Sequence, residues 1–195
     1  MIYAQIISGV VMAYPYTLDE LYAANPNTSF PENPTLDFLA TYDVYEVVPV
    51  APPSYNPATQ VLEELVPTWN GSIWQQTWAV ITASPAQQLA YKEQFIDDAK
   101  ANTMQYLDTF ASTRDYQNSD RCCGYKGSSN SQLDADATYM RSARDSVITS
   151  AYSTLAQIKS GAIPVPTMSA FMATLPALSW PNPETMPAVD GTAVL

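Results

Sequence analysis

Two kinds of residue group in this chain have the types and spacing to do chemistry: neighbouring carboxylates and neighbouring thiols. The carboxylates are Asp97-Asp98 and Asp134-x-Asp136, and the thiols are Cys122-Cys123. General acid/base catalysis needs two carboxylates converging on one substrate with separated proton affinities. Asp97 and Asp98 are consecutive within a helical pattern and so point in different directions. Asp134 and Asp136 fall in the first turn of a helix, where negative charge complements the macrodipole. Both pairs therefore read as structural. Two cysteines are too few for a disulfide framework, and a bridge between adjacent cysteines strains the backbone. They read as reduced thiols of a reducing cytoplasm, the alternative being an intermolecular disulfide through Cys122 or Cys123.

The 195 residues include no histidine. Ser-His-Asp and Cys-His nucleophile systems cannot be built from this chain alone, nor can histidine-ligated zinc or iron sites. Neither G-x-x-x-x-G-K-[ST] nor G-x-G-x-x-G occurs, so no phosphate-binding loop is present. Asn27-Thr28-Ser29 and Asn70-Gly71-Ser72 match the glycosylation triplet by chance, the second being explained by turn geometry. No catalytic residue, cofactor or metal is expected, and a non-enzymatic role follows.

The charge is strongly segregated. Nineteen acids face eight bases, a net charge of −11, yet residues 1–91 contain no Lys or Arg. That stretch holds Asp19, Glu20, Glu32, Asp37, Asp43, Glu46, Glu63 and Glu64, whereas every base lies between Lys92 and Lys159. Phosphate neutralisation is the main source of nucleic-acid affinity, so no nucleic-acid partner is expected. An acidic front half favours a basic protein partner. The longest mostly apolar run, Ile6 to Tyr16, is too short to span a bilayer, and the N-terminus lacks the basic region of a secretory signal. No membrane insertion is expected.

The elements that must position these residues fall into an α+β pattern: a β-rich module over 1–81, a helical module over 84–180 and an extended tail over 181–195. Tyr3–Ile7 and Val10–Tyr14 flank Ser8-Gly9, a two-residue hairpin turn. Thr17 and Glu20 form a capping box for a short helix ending near Asn25-Pro26. Asn33-Pro34 repeats a helix-start signal for Leu36 to Thr41. Val44 to Val50 reads as a strand, followed by an extended proline-rich connector through Pro57. A second hairpin joins Thr59–Thr68 to Ser72–Ile81 across Asn70-Gly71, and Trp74, Trp78 and Val80 share one face of its second strand.

Ser84-Pro85 opens a long helix to about Asp115, with Leu89, Ile96, Ala99, Thr103, Leu107 and Phe110 on one stripe. Tyr116 to Ser131 is a polar break that carries the cysteines. Gln132 to Ser160 is the second long helix, its stripe formed by Leu133, Ala137, Met140, Val147, Ala151, Leu155 and Ile158, with Gly161 as C-cap. Thr167 to Thr174 adds a short helix. The 13 tyrosines, Tyr14, Tyr16, Tyr22, Tyr42, Tyr45 and Tyr55 among them, serve either as half-buried filling of the β module or as a partner surface.

Two stretches carry a resemblance to a known family. The first runs through Tyr14-Pro15-Tyr16-Thr17-Leu18-Asp19-Glu20-Leu21, Asn25-Pro26-Asn27-Thr28-Ser29-Phe30-Pro31, Val44-Tyr45-Glu46-Val47 and Asn70 to Val80. The second runs from Tyr116-Gln117 through Cys123-Gly124-Tyr125-Lys126-Gly127-Ser128 and Arg144-Asp145-Ser146-Val147 to Phe171–Pro181. Together they cover the chain to about Pro181, and they resemble bacteriophage tail-fibre proteins and tail-fibre assembly chaperones. Where the family often has a single cysteine or serine in the break, this chain has Cys122-Cys123.

The resemblance implies an accessory protein of the tail fibre. Such a protein would bind the fibre trimer to assist its assembly or remain on it in the virion, acting in the host cytoplasm or the viral tail. The alternative is a permanent tail or baseplate component that links fibres to a baseplate protein, and a carbohydrate-binding fibre element is a third reading. The expected partner-contacting residues are Tyr14, Tyr16, Phe30, Trp74, Trp78 and Trp180. Unpaired strand edges of a folding fibre template aggregation, and a small β module could cover them. Prolines beside its own strands would limit self-association.

Overall fold

A computed structural model describes residues 1–183. The chain has the mixed α+β make-up expected. It divides into two compact units, Met1–Ser84 and Pro85–Leu195.

The first unit is built on a five-stranded sheet. Its strands are β1 (Ile2–Ile7), β2 (Val10–Tyr16), β3 (Val44–Val48), β4 (Gln60–Trp69) and β5 (Trp74–Thr82), in the order β2-β1-β3-β5-β4. All neighbours are antiparallel except β3 and β5. Ser8 and Gly9 both take positive φ, as a tight hairpin turn matching the strand twist requires. Helix α1 (Leu18–Ala24) starts at the Thr17–Glu20 capping box. Helix α2 (Leu36–Ala40) is capped by Thr35, whose hydroxyl accepts from the Phe38 amide, so the start signal lies at Thr35 and not at Asn33.

Alternation along the strands sends side chains to two cores. One contains Tyr16, Leu21, Leu39 and Val44, which pack α1 and α2 against the sheet. The other, on the opposite face, contains Ala4, Ile6 and Val47, with Val11, Tyr14, Tyr45 and Trp74 around them. The outer strands β2 and β4 touch, so the sheet curls around this second core. Register irregularities occur in the β1–β2 ladder and between Leu65 and Thr68, where Pro67 sits in β4. A residue without an N–H fits at such a bulge in an outer strand, and bulges bend sheets.

The Asn70-Gly71 turn is longer than two residues. Trp69 pairs with Trp74, leaving a four-residue loop, and the Asn70 side chain accepts from the Ser72 and Ile73 amides. An asparagine that closes its own turn in this way competes with the two-residue geometry.

The second unit packs two long helices, α3 (Pro85–Ser112) and α5 (Ser131–Ser160), with α4 (Ser119–Cys123) and α6 (Met168–Met172). The α3 stripe matches expectation at Ala99, Thr103 and Leu107, with Ile96 and Phe110 partly buried beside them, and differs at its ends. Phe95, Ala99, Thr103, Leu107 and Ala111 are buried at i, i+4 spacing, whereas Leu89 is 49% exposed and only borders the stripe in sequence. The α5 stripe from Ala137 to Ile158 is buried as expected, with Gln132 and Asp136 added to it and Leu133 only partly covered. Gly161 closes the helix at φ 79°, the left-handed conformation that glycine adopts without steric cost. The polar break holds α4, anchored because the Ser119 amide and hydroxyl both donate to the Asp108 carboxylate at 2.9 and 2.6 Å.

Residues after α6 run across this helical core. The Tyr106 hydroxyl donates to the Pro176 carbonyl, the Ser179 amide to the Tyr139 hydroxyl, and the Trp180 indole to the Thr113 hydroxyl. The tail expected over 181–195 begins tethered, since Arg114 donates to the Asn182 carbonyl. Its residues 184–195, Pro187 included, lie outside the described residues.

Candidate functional site

Three of the four paired carboxylates, those of Asp97, Asp134 and Asp136, are held in structural bonds, and Asp98 is exposed. Asp97 pairs with Lys100 on the surface at 2.9 Å. Asp134 accepts from the Lys126 ammonium at 2.9 Å and from the Gly127 amide at 2.6 Å. The amide, then the ammonium, holds its carboxyl below the usual carboxylate range. Asp136 is 1% exposed and accepts from Arg114, from the Tyr116 hydroxyl at 3.0 Å and from the Gln132 amide at 2.8 Å. Its two oxygens carry three donors, so it offers nothing to a substrate. Burial first, then the bond to Asp136, raises the Tyr116 hydroxyl. Among the described residues, no group of three or more Cys, Asp or Glu side chains gathers as a metal site.

The thiols differ sharply. Cys122 has no exposed surface and lies in the helical core, where burial pushes it up to about 12. A disulfide from Cys122 to another chain has no route to its sulfur. Cys123 is partly exposed, and burial raises it against the opposing pull of Arg144.

The six aromatic residues expected to meet a partner do not form one surface. Tyr14 and Trp74 lie around the Ala4–Ile6–Val47 core. Tyr16 is buried on the opposite face, in the core that also receives Phe30. Phe30 sits among Tyr22, Phe38 and Tyr42, with ring centroids 4.7, 6.0 and 5.2 Å away. The Trp78 indole donates to the Val50 carbonyl at 2.9 Å and so pins the start of the proline-rich connector. Trp180 stacks on Phe110 at 4.4 Å, with the Arg114 guanidinium 4.6 Å from its ring centre. That indole packs on its own helical unit and is half-buried there.

Tyr14 has a specific task in the curl. Its hydroxyl donates to the Glu64 carboxylate on β4, which also accepts from the Gln76 amide at 2.7 Å. Burial, then this bond, pushes the Tyr14 hydroxyl up to about 12, while the two donors hold Glu64 below its ordinary value.

Tyr45, Trp69 and Trp74 centre one open surface of the β unit; another hollow, of about 520 Å³, is lined by Tyr22, Asn25, Phe30 and Glu32. The Trp69 and Trp74 rings lie 5.7 Å apart across the mouth of the β4–β5 hairpin, and Trp69 is 53% exposed. A hollow of about 440 Å³ on one side is floored by Ile6 and the Ser8-Gly9 turn. A second of about 320 Å³ is bounded by α2, by Glu46 and Val48 of β3, and by Ile73. Tyr45, Trp69 and Trp74 line both. Sequence reasoning placed Trp74 here but missed Trp69. A two-residue Asn70-Gly71 turn would set Trp69 opposite Ser72, so its pairing with Trp74 follows only from the four-residue loop of the folded hairpin.

Comparison of the chain with protein-family models, curated proteins and solved structures returned no match. Among the described residues, no helix is long and apolar enough to cross a membrane.

Proposed function

We propose that the protein is a non-enzymatic accessory of a bacteriophage tail fibre, which binds the fibre during assembly or stays on it in the virion. The sequence resemblance supplies the partner, and one observation carries the mode of action. Of the acids and thiols with catalytic potential, Asp97, Asp134 and Asp136 are tied up in structural bonds and Cys122 is buried, while the tryptophan-centred surface of the β unit stays open. Tryptophan and tyrosine are the side chains that most often anchor protein interfaces. A unit with eight acids and no Lys or Arg also suits a basic partner surface.

Co-expression with the tail-fibre protein encoded beside it tests the reading. The fibre should gain solubility and co-purify with this protein; an unchanged fibre yield with no co-purification would remove the reading. Mass spectrometry of purified virions then separates a departing assembly factor from a permanent tail or baseplate component, which must be present in the particle.

A further inference from the structure

The open surface on the β unit has an asymmetry that specifies what it can hold. Strand β3 pairs with β1 along Val44–Val47, but its ladder to β5 begins only at Val47, opposite Trp74. Among the described residues, the other edge of Val44–Glu46 therefore has no strand beside it, and Tyr45 of this stretch lines both hollows. An unpaired strand edge accepts an extended segment through main-chain hydrogen bonds, and adjoining pockets select its side chains.

The walls of the gap choose one type of side chain. Trp69 and Trp74 present indole surface, and indole faces attract cations more strongly than other rings do. Asp37 of α2 and Glu46 of β3 stand at the rim. Among the described residues, neither carboxylate has an ion-pair or side-chain hydrogen-bond partner. No Lys or Arg lies anywhere in Met1–Ser84 to compete for them. Apolar walls with unpaired acids at the lip match a long side chain that has a methylene stem and a positive head.

We propose that this cleft, with Trp69 and Trp74 at its centre and Asp37 and Glu46 at its rim, receives an extended segment of a partner protein through an arginine or lysine side chain. The proposal deepens the fibre-binding reading and rests on it for the partner's identity, though not for the chemistry of the cleft.

The test titrates the full-length protein with a blocked Gly-Val-Arg-Val-Arg-Val-Gly peptide and its glutamine and glutamate counterparts, following the indole N–H signals by NMR. The arginine peptide should shift the Trp69 and Trp74 signals and leave Trp180 unmoved. The glutamine peptide should bind about tenfold more weakly, and the glutamate peptide should not bind. Trp69→Ala should cost about tenfold in affinity and Trp69→Phe much less. Asp37→Asn combined with Glu46→Gln should weaken binding and flatten its salt dependence. Trp69 and Asp37 are exposed and Glu46 is half-buried, and circular dichroism checks that the variants fold. Absence of indole shifts, equal affinity for arginine and glutamine peptides, or unchanged binding by the folded variants would overturn the proposal. So would a neutral glucan oligosaccharide that moves these signals where the arginine peptide does not. Fibre capture by the same variants separates the two readings. Capture unaffected by Trp69→Ala and the acid-to-amide pair discards the cleft and keeps the fibre role. Peptide binding without fibre capture discards the fibre role and keeps the cleft.

Discussion

Arg114 and Asp136 form an ion pair with side chains 6% and 1% exposed, joining the segment after α3 to the first turns of α5. A buried pair costs several kcal/mol per ion in desolvation and survives only when other hydrogen bonds complete it. Here Tyr116 and Gln132 complete the carboxylate, while Trp180 and the Asn182 carbonyl complete the guanidinium. The pair thus orders three chain segments, 114–116, 132–136 and 180–182, around itself.

Removing one partner strands the other. Asp136→Ala and Arg114→Ala should each destabilise the helical unit by about 3–5 kcal/mol, read from urea unfolding by circular dichroism. Replacing both ions by apolar residues of similar volume, Arg114→Met with Asp136→Leu, together with Tyr116→Phe, should recover much of that loss. If the combined variant is no more stable than the single ones, the pair does not act as a unit.

The Tyr14–Glu64 bond makes closure of the sheet dependent on pH. The Tyr14 hydroxyl rises from 10.0 to about 12, so the folded state holds its proton more tightly than the unfolded state. Its contribution is complete below pH 10 and is lost as pH climbs toward 12. Glu64 is lowered, so its contribution is present above its unfolded value and is lost as acid protonates it. Urea midpoints of the β unit should therefore fall at both ends, and Tyr14→Phe should flatten the alkaline fall. Tyr16, also raised and in the same unit, contributes in the same alkaline direction and sets the slope that remains.

Thiol labelling should be biphasic. Cys123 reacts first, from a partly exposed position, and Cys122 reacts only when the helical core opens. Cys123→Ser should abolish the fast phase and any high-mass band on non-reducing gels, whereas Cys122→Ser should leave both. Equal rates for the two thiols would contradict the burial of Cys122.

Trp180→Ala should cost about 2–3 kcal/mol, through loss of the Phe110 stack and of the contact with the Arg114 guanidinium. Trp180→Phe should restore part of it. Fibre capture by either variant should be unchanged where the helical unit stays folded, because this indole faces its own chain.

Features governed by neighbours in sequence were legible beforehand. The Ser8-Gly9 turn, the Thr17–Glu20 box, the α5 stripe and the Gly161 cap each depend on residues within a few positions of one another. Features set by distant partners were not. Asp136 sits where a helix dipole welcomes any acid, and its partner is 22 positions away on another element. Phe95 rather than Leu89 faces the α3 core, where its ring meets Phe171 of α6 at 6.0 Å, a partner far along the chain. The cleft was only half visible, since Trp69 gains its meaning from the register across a four-residue loop and Tyr45 from a strand pairing that stops short.

The segregation of charge gives the chain an internal reporter. Trypsin cuts after Lys or Arg, and the first such bond in the sequence follows Lys92, inside α3 and beyond the last residue of the β unit. No native β-unit segment can be cleaved, however mobile it becomes. Digestion timed under increasing urea therefore clocks the opening of the helices alone, and one early cut releases the whole sheet as a single uncut fragment.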